Sequence, residues 1–570
     1  MTAPTTTVQT APTRVPTTEG RGLPVVVIGA GPVGLAAAAH LLERGLEPLV
    51  LEAGDQVGAA VRGWEHIRLF SPWRYDVDAA AARLLSPTGW QHPKMTGLPT
   101  GTDLVQAYLA PLAATAALAP RIRTGARVVA VSRVGLDKTH AAGRHEQPFL
   151  VRTRTRDDHG HLQVVDHHAR AVIDASGTWE QRNPLGVSGL AALGEEQAAA
   201  VMAGPLPDVL GTDRARFAGR RTLVVGAGHS ATNTLLHLVA LADDDPADGP
   251  TTRIVWAVRG ASVARTFGGG DLDGLPARGA LGARLRRAVD DGRIELHTQV
   301  TIDEICTRPT TTTGSSGAGG SGGSGGSGEG EGGQEVVVVA GTPSGRRELV
   351  VDVIAAATGF RPDLGMLREL RLDLDPGVEA PSLLAPMIDP EFHSCGTVPP
   401  HGADVLAHPG EPGFFVAGMK SYGRAPTFLL ATGYEQVRSI AAHLAGDAQA
   451  AAAVHLDLPE TGVCSTAPPT VAADGTAEVD DNATGGSCCG TTAPTTAEPI
   501  TIGIGAGVGA RLGASTGVTA GGSRGFATGS AHGRSGELDD ASDDASDDAR
   551  DVSPATTSHG SSGSSSDGCC

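Results

Sequence analysis

Long apolar runs are missing from this chain: nowhere in its 570 residues does a hydrophobic stretch reach the length of about 18 that a membrane helix needs. Cysteine is scarce. Seven in 570 residues cannot staple a fold of this size, so a disulfide framework is excluded and a reducing cytoplasm is the expected setting. No Cys-x-x-Cys or Cys-x4-Cys pair occurs, which removes the relay a dithiol reductase uses. Positive charge is thin as well. With 44 Lys+Arg against 63 Asp+Glu the net charge is -19, and clustered cations for nucleic acid are not expected. Lysine occurs only three times, at Lys94, Lys138 and Lys420, a compositional bias without a functional reading. Residues 1–20 are Thr/Pro-rich with no apolar segment, so they read as a disordered leader rather than a secretory signal.

Organised text begins near Leu23. Short Val-rich runs alternate with Ala/Leu-rich stretches to about Gly446, the pattern of parallel strands covered on both faces. The length suits two or three domains. Two stretches break the pattern. Residues 310–334 are Thr and then Gly/Ser repeats between two strand-like pieces, an enlarged flexible loop rather than a domain boundary. Beyond Glu460 the chain turns Thr/Gly/Ser/Asp-rich, with 14 acids against four arginines and Asp-Asp-Ala-Ser repeats around 539–548. Disorder is expected there.

A strand, Val25–Ile28, runs into Gly29-Ala30-Gly31-Pro32-Val33-Gly34 and a helix, and a second strand, Pro48–Leu51, ends at Glu52. The first glycine allows a tight turn, the second lets backbone amides approach a pyrophosphate at the helix N-terminus, and the third permits close helix–strand packing. Glu52, 23 residues past Gly29, is placed to accept hydrogen bonds from an adenosine ribose. The arrangement repeats. Thr222–Val225 leads into Gly226-Ala227-Gly228-His229-Ser230-Ala231 and a helix, and the next strand, Arg253–Val258, ends at Arg259. A cation where the first unit has an acid suits the 2′-phosphate of NADP. His229 reads as a loop residue rather than a ligand or base.

Asp174-Ala175-Ser176-Gly177 and Ala357-Thr358-Gly359 resemble the crossing motifs of flavoproteins with two dinucleotide-binding domains, and Phe414–Gly418 resembles the late strand that reaches the flavin in them. The resemblance covers roughly residues 23–446. It implies an α/β fold of two Rossmann-like domains, the NADP domain inserted into the FAD domain, with a disordered C-terminal tail. The expected division is a leader to residue 20, FAD-domain segments 21–185 and 346–446, an NADP domain 186–345, and a mostly disordered, acidic, cysteine-containing tail 447–570. The implied cofactor contacts are Gly29, Gly31, Gly34, Glu52, Gly177, Gly359, Gly418 and Gly433 for FAD, and Gly226, Gly228, Ser230, Ala231 and Arg259 for NADP(H). Near Gly418 that family carries an acid for the ribityl chain, where this sequence has Met419, so a backbone amide is expected instead. Thr432-Gly433-Tyr434 opens a helix whose N-terminus faces the flavin pyrimidine in the family.

Among such proteins the chain is similar to the flavin-containing monooxygenases, through the two fingerprints, Ser230 and Gly177-Thr178-Trp179 with Pro184. Their Phe-x-Gly-x-x-x-His signature is absent, the nearest window being Val187–Leu193. Val61–Arg74, Met419–Phe428 and Glu460–Ser465 resemble flavoproteins of bacterial arsenic-resistance operons. The implied activity is NADPH-driven oxygenation of a small molecule, an arsenical by that resemblance, with O2 as co-substrate. The alternatives are a thiol or metal reductase and a non-catalytic flavin- or metalloid-binding protein. No catalytic residue is singled out. The tail thiols Cys464, Cys488, Cys489, Cys569 and Cys570 are candidates for a soft metalloid, against simple tolerance of cysteine in a disordered tail. Ser71–Tyr75 reads as a loop able to cover the flavin, or as plain packing. His393, Cys395, His401 and His408 lie close together without a regular zinc spacing. No partner beyond small molecules is implied, neither nucleic acid nor membrane, and the oligomeric state is not legible.

Overall fold

β1 (Val25–Ile28) is a four-residue apolar run with no polar face, so it needs cover on both sides. The structure, a computed structural model, describes residues 22–157, 159–270, 273–309, 334–389, 398–425, 428–456 and 458. The expected leader, residues 310–333, His393, Cys395 and all five tail cysteines lie outside these. The strands that follow are β2 (Pro48–Leu51), β3 (Ile122–Arg123), β4 (Arg127–Arg133), β5 (Phe149–Arg156), β6 (Leu162–Ala169), β7 (Ala171–Asp174), β8 (Met202–Ala203), β9 (Arg221–Val225), β10 (Arg253–Ala257), β11 (Glu295–His297), β12 (Thr301–Pro309), β13 (Gln334–Thr342), β14 (Gly345–Val351), β15 (Val353–Ala356) and β16 (Phe414–Val416). Five helices bear on the site: α1 (Pro32–Glu43), α2 (His229–Asp243), α3 (Pro276–Asp290), α4 (Leu430–Leu444) and α5 (Ala448–Ala452).

Two parallel five-stranded sheets form, in the orders β16-β7-β1-β2-β3 and β11-β10-β9-β15-β8. Each is backed by an antiparallel three-stranded sheet, β4-β5-β6 in one domain and β12-β13-β14 in the other. Alternation along the strands divides the cores accordingly. Val25 and Val27 pack with α1 and α4, whereas Val26 and Ile28 pack with Val131, Phe149 and Val151 of the β4–β5 layer. In the second domain Val224 and Ile254 meet α2 and α3, while Leu223 and Val255 meet Val336 and Val338 of β13. Each buried valine or isoleucine contributes about 1.5–3 kcal/mol. Both domains thus have the same three layers.

β1 and β9 occupy matching places. Each is followed by a helix and a strand on one side, and a later strand joins on the other. The chain order reverses there, which opens a crevice at the carboxyl ends of the strands. The return to the first domain comes later than the sequence suggests, because β15 pairs with β9 and so holds residues 346–357 in the second domain. The crossing itself is Thr358–Arg361, laid antiparallel on Gln181–Asn183 through Asn183 N–H to Gly359 O and Arg361 N–H to Gln181 O, both 2.9 Å. The folded body also runs past Gly446. The helix α5 lies against α4, with Ser439 Oγ donating to Ala451 O at 2.7 Å and Arg438 donating to Ala450 O and Ala453 O. β12 and β13 pair as an antiparallel hairpin with Pro309 opposite Gln334, as expected of strands flanking an enlarged loop. No helix among the described residues is long and apolar enough to cross a membrane.

Candidate functional site: two dinucleotide cradles

The three glycines of the first fingerprint have three different surroundings. Gly29 has φ +98°, and a Cβ there would stand 2.8 Å from Ala175 O. A Cβ on Gly34 would stand 1.9 Å from Gly29 O, so α1 rests directly on the turn it leaves. Around Gly31 no protein atom lies within 4 Å of where a Cβ would be. This middle glycine leaves open space at the start of α1, and it caps the helix without a side chain. Uncapped N–H groups facing a space are what an anion needs. Pro32 at the first helical position costs nothing, since its missing N–H would have no intrahelical acceptor.

Glu52 is buried at the end of β2 and turned back onto the cradle. One carboxylate oxygen accepts from Ala30 N–H at 2.6 Å and the other from Gly54 N–H at 2.8 Å. Each oxygen retains a lone pair, so the carboxylate can brace the turn and still accept from a ribose hydroxyl.

The second cradle repeats the geometry. Gly226 has φ +134° with its Cβ direction blocked by Ala357 O at 2.0 Å, and Gly228 faces open space and caps α2 without a side chain. Ala231 fills the third position fully buried, and Ser230 follows His229 in the first turn. Arg259, just past β10, is exposed and forms no ion pair among the described residues. His229 lies under Phe70 of the first domain, with ring centroids 4.9 Å apart, and burial pushes its imidazole down to about 4. It is neutral at physiological pH. Beside it is a cavity of about 60 Å³ lined by Thr232, Arg265, Thr266, Asp273 and Arg278.

The remaining expected contacts border the first cradle or the crossing. Gly359 (φ +83°) sits on the crossing segment, and Gly177 (φ +71°) lies between β7 and Gln181–Asn183. A Cβ on Gly418 would stand 3.3 Å from Val33, and one on Gly433 would stand 2.6 Å from Val33 Cγ2. Both glycines therefore pack on the first turn of α1. Helix α4 starts at Leu430, two residues before Thr432, which puts Gly433 inside its first turn.

Sequence reasoning missed the polar anchors behind this wall. Lys420 and Asp174 form a fully buried ion pair at 2.6 Å, and Lys420 Nζ also donates to Ser176 Oγ at 3.1 Å. One of only three lysines falling in an apolar segment was the available signal. Asp76 is buried with Ser71 Oγ donating to Oδ1 at 2.7 Å and Oδ2 without a partner. Burial raises its carboxyl to about 7 against the pull of Ser71. The Ser71–Tyr75 segment mostly packs, since Trp73 is buried in the core. His401 and His408 serve separate buried networks, on Gln436 and Asp373. No group of three or more metal-ligating side chains occurs among the described residues.

Residues 26–246 match the sequence profile of the pyridine nucleotide-disulphide oxidoreductase family. No curated protein sequence matches the chain. Among solved structures, the bacillithiol disulfide reductase from Bacillus cereus superposes with a TM-score of 0.50 at 19% identity, over 74% of this chain and 99% of that one. The FAD-bound cadaverine monooxygenase of desferrioxamine biosynthesis from Erwinia amylovora gives 0.49 at 12% identity, over 77% and 98%. A flavin-containing monooxygenase from Stenotrophomonas maltophilia gives 0.42 at 21%, over 76% and 99%. At these identities the first likeness shows a fold. The chain has the α/β fold of oxidoreductases with two dinucleotide-binding domains, one inserted into the other.

Proposed function

We propose that the protein is an FAD-dependent oxidoreductase that oxidises NADPH and acts as a monooxygenase on a small molecule, an arsenical being the substrate class. One observation carries the cofactor reading: each domain has a fingerprint whose outer turn positions are closed by backbone or filled by alanine while the middle glycine faces open space. The residues present fit FAD in the first cradle, where Gly31 and the start of α1 would take the pyrophosphate and Glu52 the ribose. They fit NADPH in the second, where Gly228 and the start of α2 would take the pyrophosphate and Arg259 the 2′-phosphate. Bound FAD supplies two-electron transfer from NADPH to O2 or another acceptor. The protein's share is to hold both nucleotides at the carboxyl edges of its sheets. Phe70, packed on His229, brings the first domain against the start of α2.

The arsenical rests on the resemblance of residues 61–74, 419–428 and 460–465 to flavoproteins of arsenic-resistance operons, and the tail thiols would then gather the metalloid near the site. A second reading, NADPH-dependent reduction of a disulfide or metal, is favoured by the family match of residues 26–246 and opposed by the lack of a closely spaced cysteine pair. The deciding measurement follows NADPH, O2 and H2O2 together, with and without arsenite. Arsenite-stimulated NADPH oxidation that consumes O2 and releases less H2O2 than NADPH used supports oxygenation. Equal NADPH turnover without O2, with a disulfide as acceptor, would replace it with the second reading.

A further inference from the structure

Behind Gly418 lies a chain of buried side chains that the cradle residues named above do not include. Gly418 N–H donates to Gln436 Oε1 at 2.8 Å. The Gln436 amide nitrogen lies 2.9 Å from Ser421 Oγ and 2.9 Å from His401 Nε2. The Ser421 hydroxyl donates to Gly418 O at 2.8 Å, so Gly418 is gripped through both its N–H and its carbonyl. His401 Nδ1 lies 2.9 Å from Pro399 O, and a carbonyl only accepts. Nδ1 therefore carries the proton, and Nε2 is the acceptor for the Gln436 amide. From Pro399 to Gly418 every donor meets an acceptor, and the chain has a single sense, set by His401. Gln436 and Ser421 are almost completely inaccessible to solvent, so no water competes.

What this network holds is a left-handed turn at the edge of the first cradle. Gly418 has φ +70° and abuts Val33 in the first turn of α1, where β16 ends at the carboxyl edge of the sheet. Because its own N–H is taken by Gln436, the N–H that this turn can offer a ligand is the next one, on Met419. We propose that Gln436, oriented by His401 and Ser421, is a positioning residue that fixes the Gly418–Met419 peptide against the FAD held in the first cradle. The proposal rests on the FAD reading of that cradle.

Its physical consequence is a pH dependence of flavin binding. Protonated His401 would present N–H on both ring nitrogens, and its Nε2–H would oppose the Gln436 NH2. Turning the Gln436 amide to relieve this would bring NH2 against Gly418 N–H, again donor against donor. The groups facing His401 are the carboxylates of Asp404 and Glu435, the Pro399 carbonyl, Gln436 and the Tyr422 ring at 5.8 Å. Burial favours the neutral ring and lowers its pKa from the ordinary histidine value, outweighing the Pro399 carbonyl and the two carboxylates. The grip on Gly418 is thus complete at neutral pH and lost on acidification below the usual histidine range.

The test reconstitutes full-length apoprotein with FAD from pH 5 to 8 and measures the dissociation constant by flavin fluorescence, with thermal unfolding of each apo form. Wild-type affinity should fall about tenfold at the acidic end, the worth of roughly one hydrogen bond. Gln436→Leu should bind about tenfold more weakly at pH 7.5 and show a flat profile. Gln436→Glu should retain affinity in acid, because its carboxylate accepts from both Gly418 N–H and protonated His401. A Gln436→Leu protein that unfolds like wild type and binds FAD as tightly, with the same profile, would overturn the proposal. If that variant does not fold, a Gln436→Glu profile superimposable on wild type overturns it. A wild type that takes up no FAD at any pH would instead remove the FAD reading, and the proposal with it.

Discussion

The two cradles share a backbone and differ in what surrounds it. In the first, the residue ending the second strand is Glu52, buried and bonded to the turn at Ala30 and Gly54. In the second it is Arg259, exposed past β10. Behind the first cradle stand the Lys420–Asp174 pair and the Gln436–His401 network, all in the core. The second opens on the solvent side, where Gly228 is itself exposed. A site walled by satisfied buried polar groups is pre-organised and suits a ligand that stays. One whose specificity group is a free guanidinium suits a ligand that comes and goes. On the proposed reading the same fingerprint would serve a resident FAD and an exchanging NADPH, and the distinction would lie outside the glycines.

The largest expected effect tests the anchor of the first cradle. Lys420→Met leaves Asp174 buried and unpaired, which should destabilise the protein by about 3–5 kcal/mol in urea unfolding. Adding Asp174→Asn should recover a large part of that loss, because the uncompensated charge is then gone. A single variant as stable as the wild type would show that the pair does not brace the wall.

Next comes the contrast within one fingerprint. Gly34→Ala forces a Cβ against Gly29 O and should lower stability by about 1–3 kcal/mol even without flavin. A Cβ at Gly31 has no protein atom within 4 Å, so the Gly31→Leu apoprotein should unfold like wild type while the purified protein is colourless. Absorbance at the flavin band and a melting curve read both outcomes. Full flavin content in the Gly31→Leu protein would mean that the space over α1 is not where the pyrophosphate lies.

The last effect leaves the fold intact and belongs to the exposed site. Arg259→Ala should reduce kcat/KM for NADPH by about 1.5–3 kcal/mol, the loss of a charge-assisted bond, with NADH turnover and flavin content unchanged. An equal loss with NADH would point to a damaged cradle instead of a lost phosphate contact.

Local rules made much of this molecule legible from its sequence. Val25–Ile28 before Gly29-x-Gly31-x-x-Gly34 demands strand, turn and helix, because each glycine answers a separate steric need, and the same holds for Arg221–Val225 before Gly226. The acid and the base ending β2 and β10 were visible at their spacing, and so were the strands flanking residues 310–333, which pair as a hairpin. Tertiary structure alone decided the rest. That β15 stays with β9, moving the crossing to Thr358, depends on a pairing across more than a hundred residues that no local pattern encodes. Lys420 finds Asp174, and Gln436 finds Gly418 and His401, because β7, β16 and α4 converge at one sheet edge. A buried polar group must find its partner wherever the fold supplies one, and sequence separation carries no information about where that is.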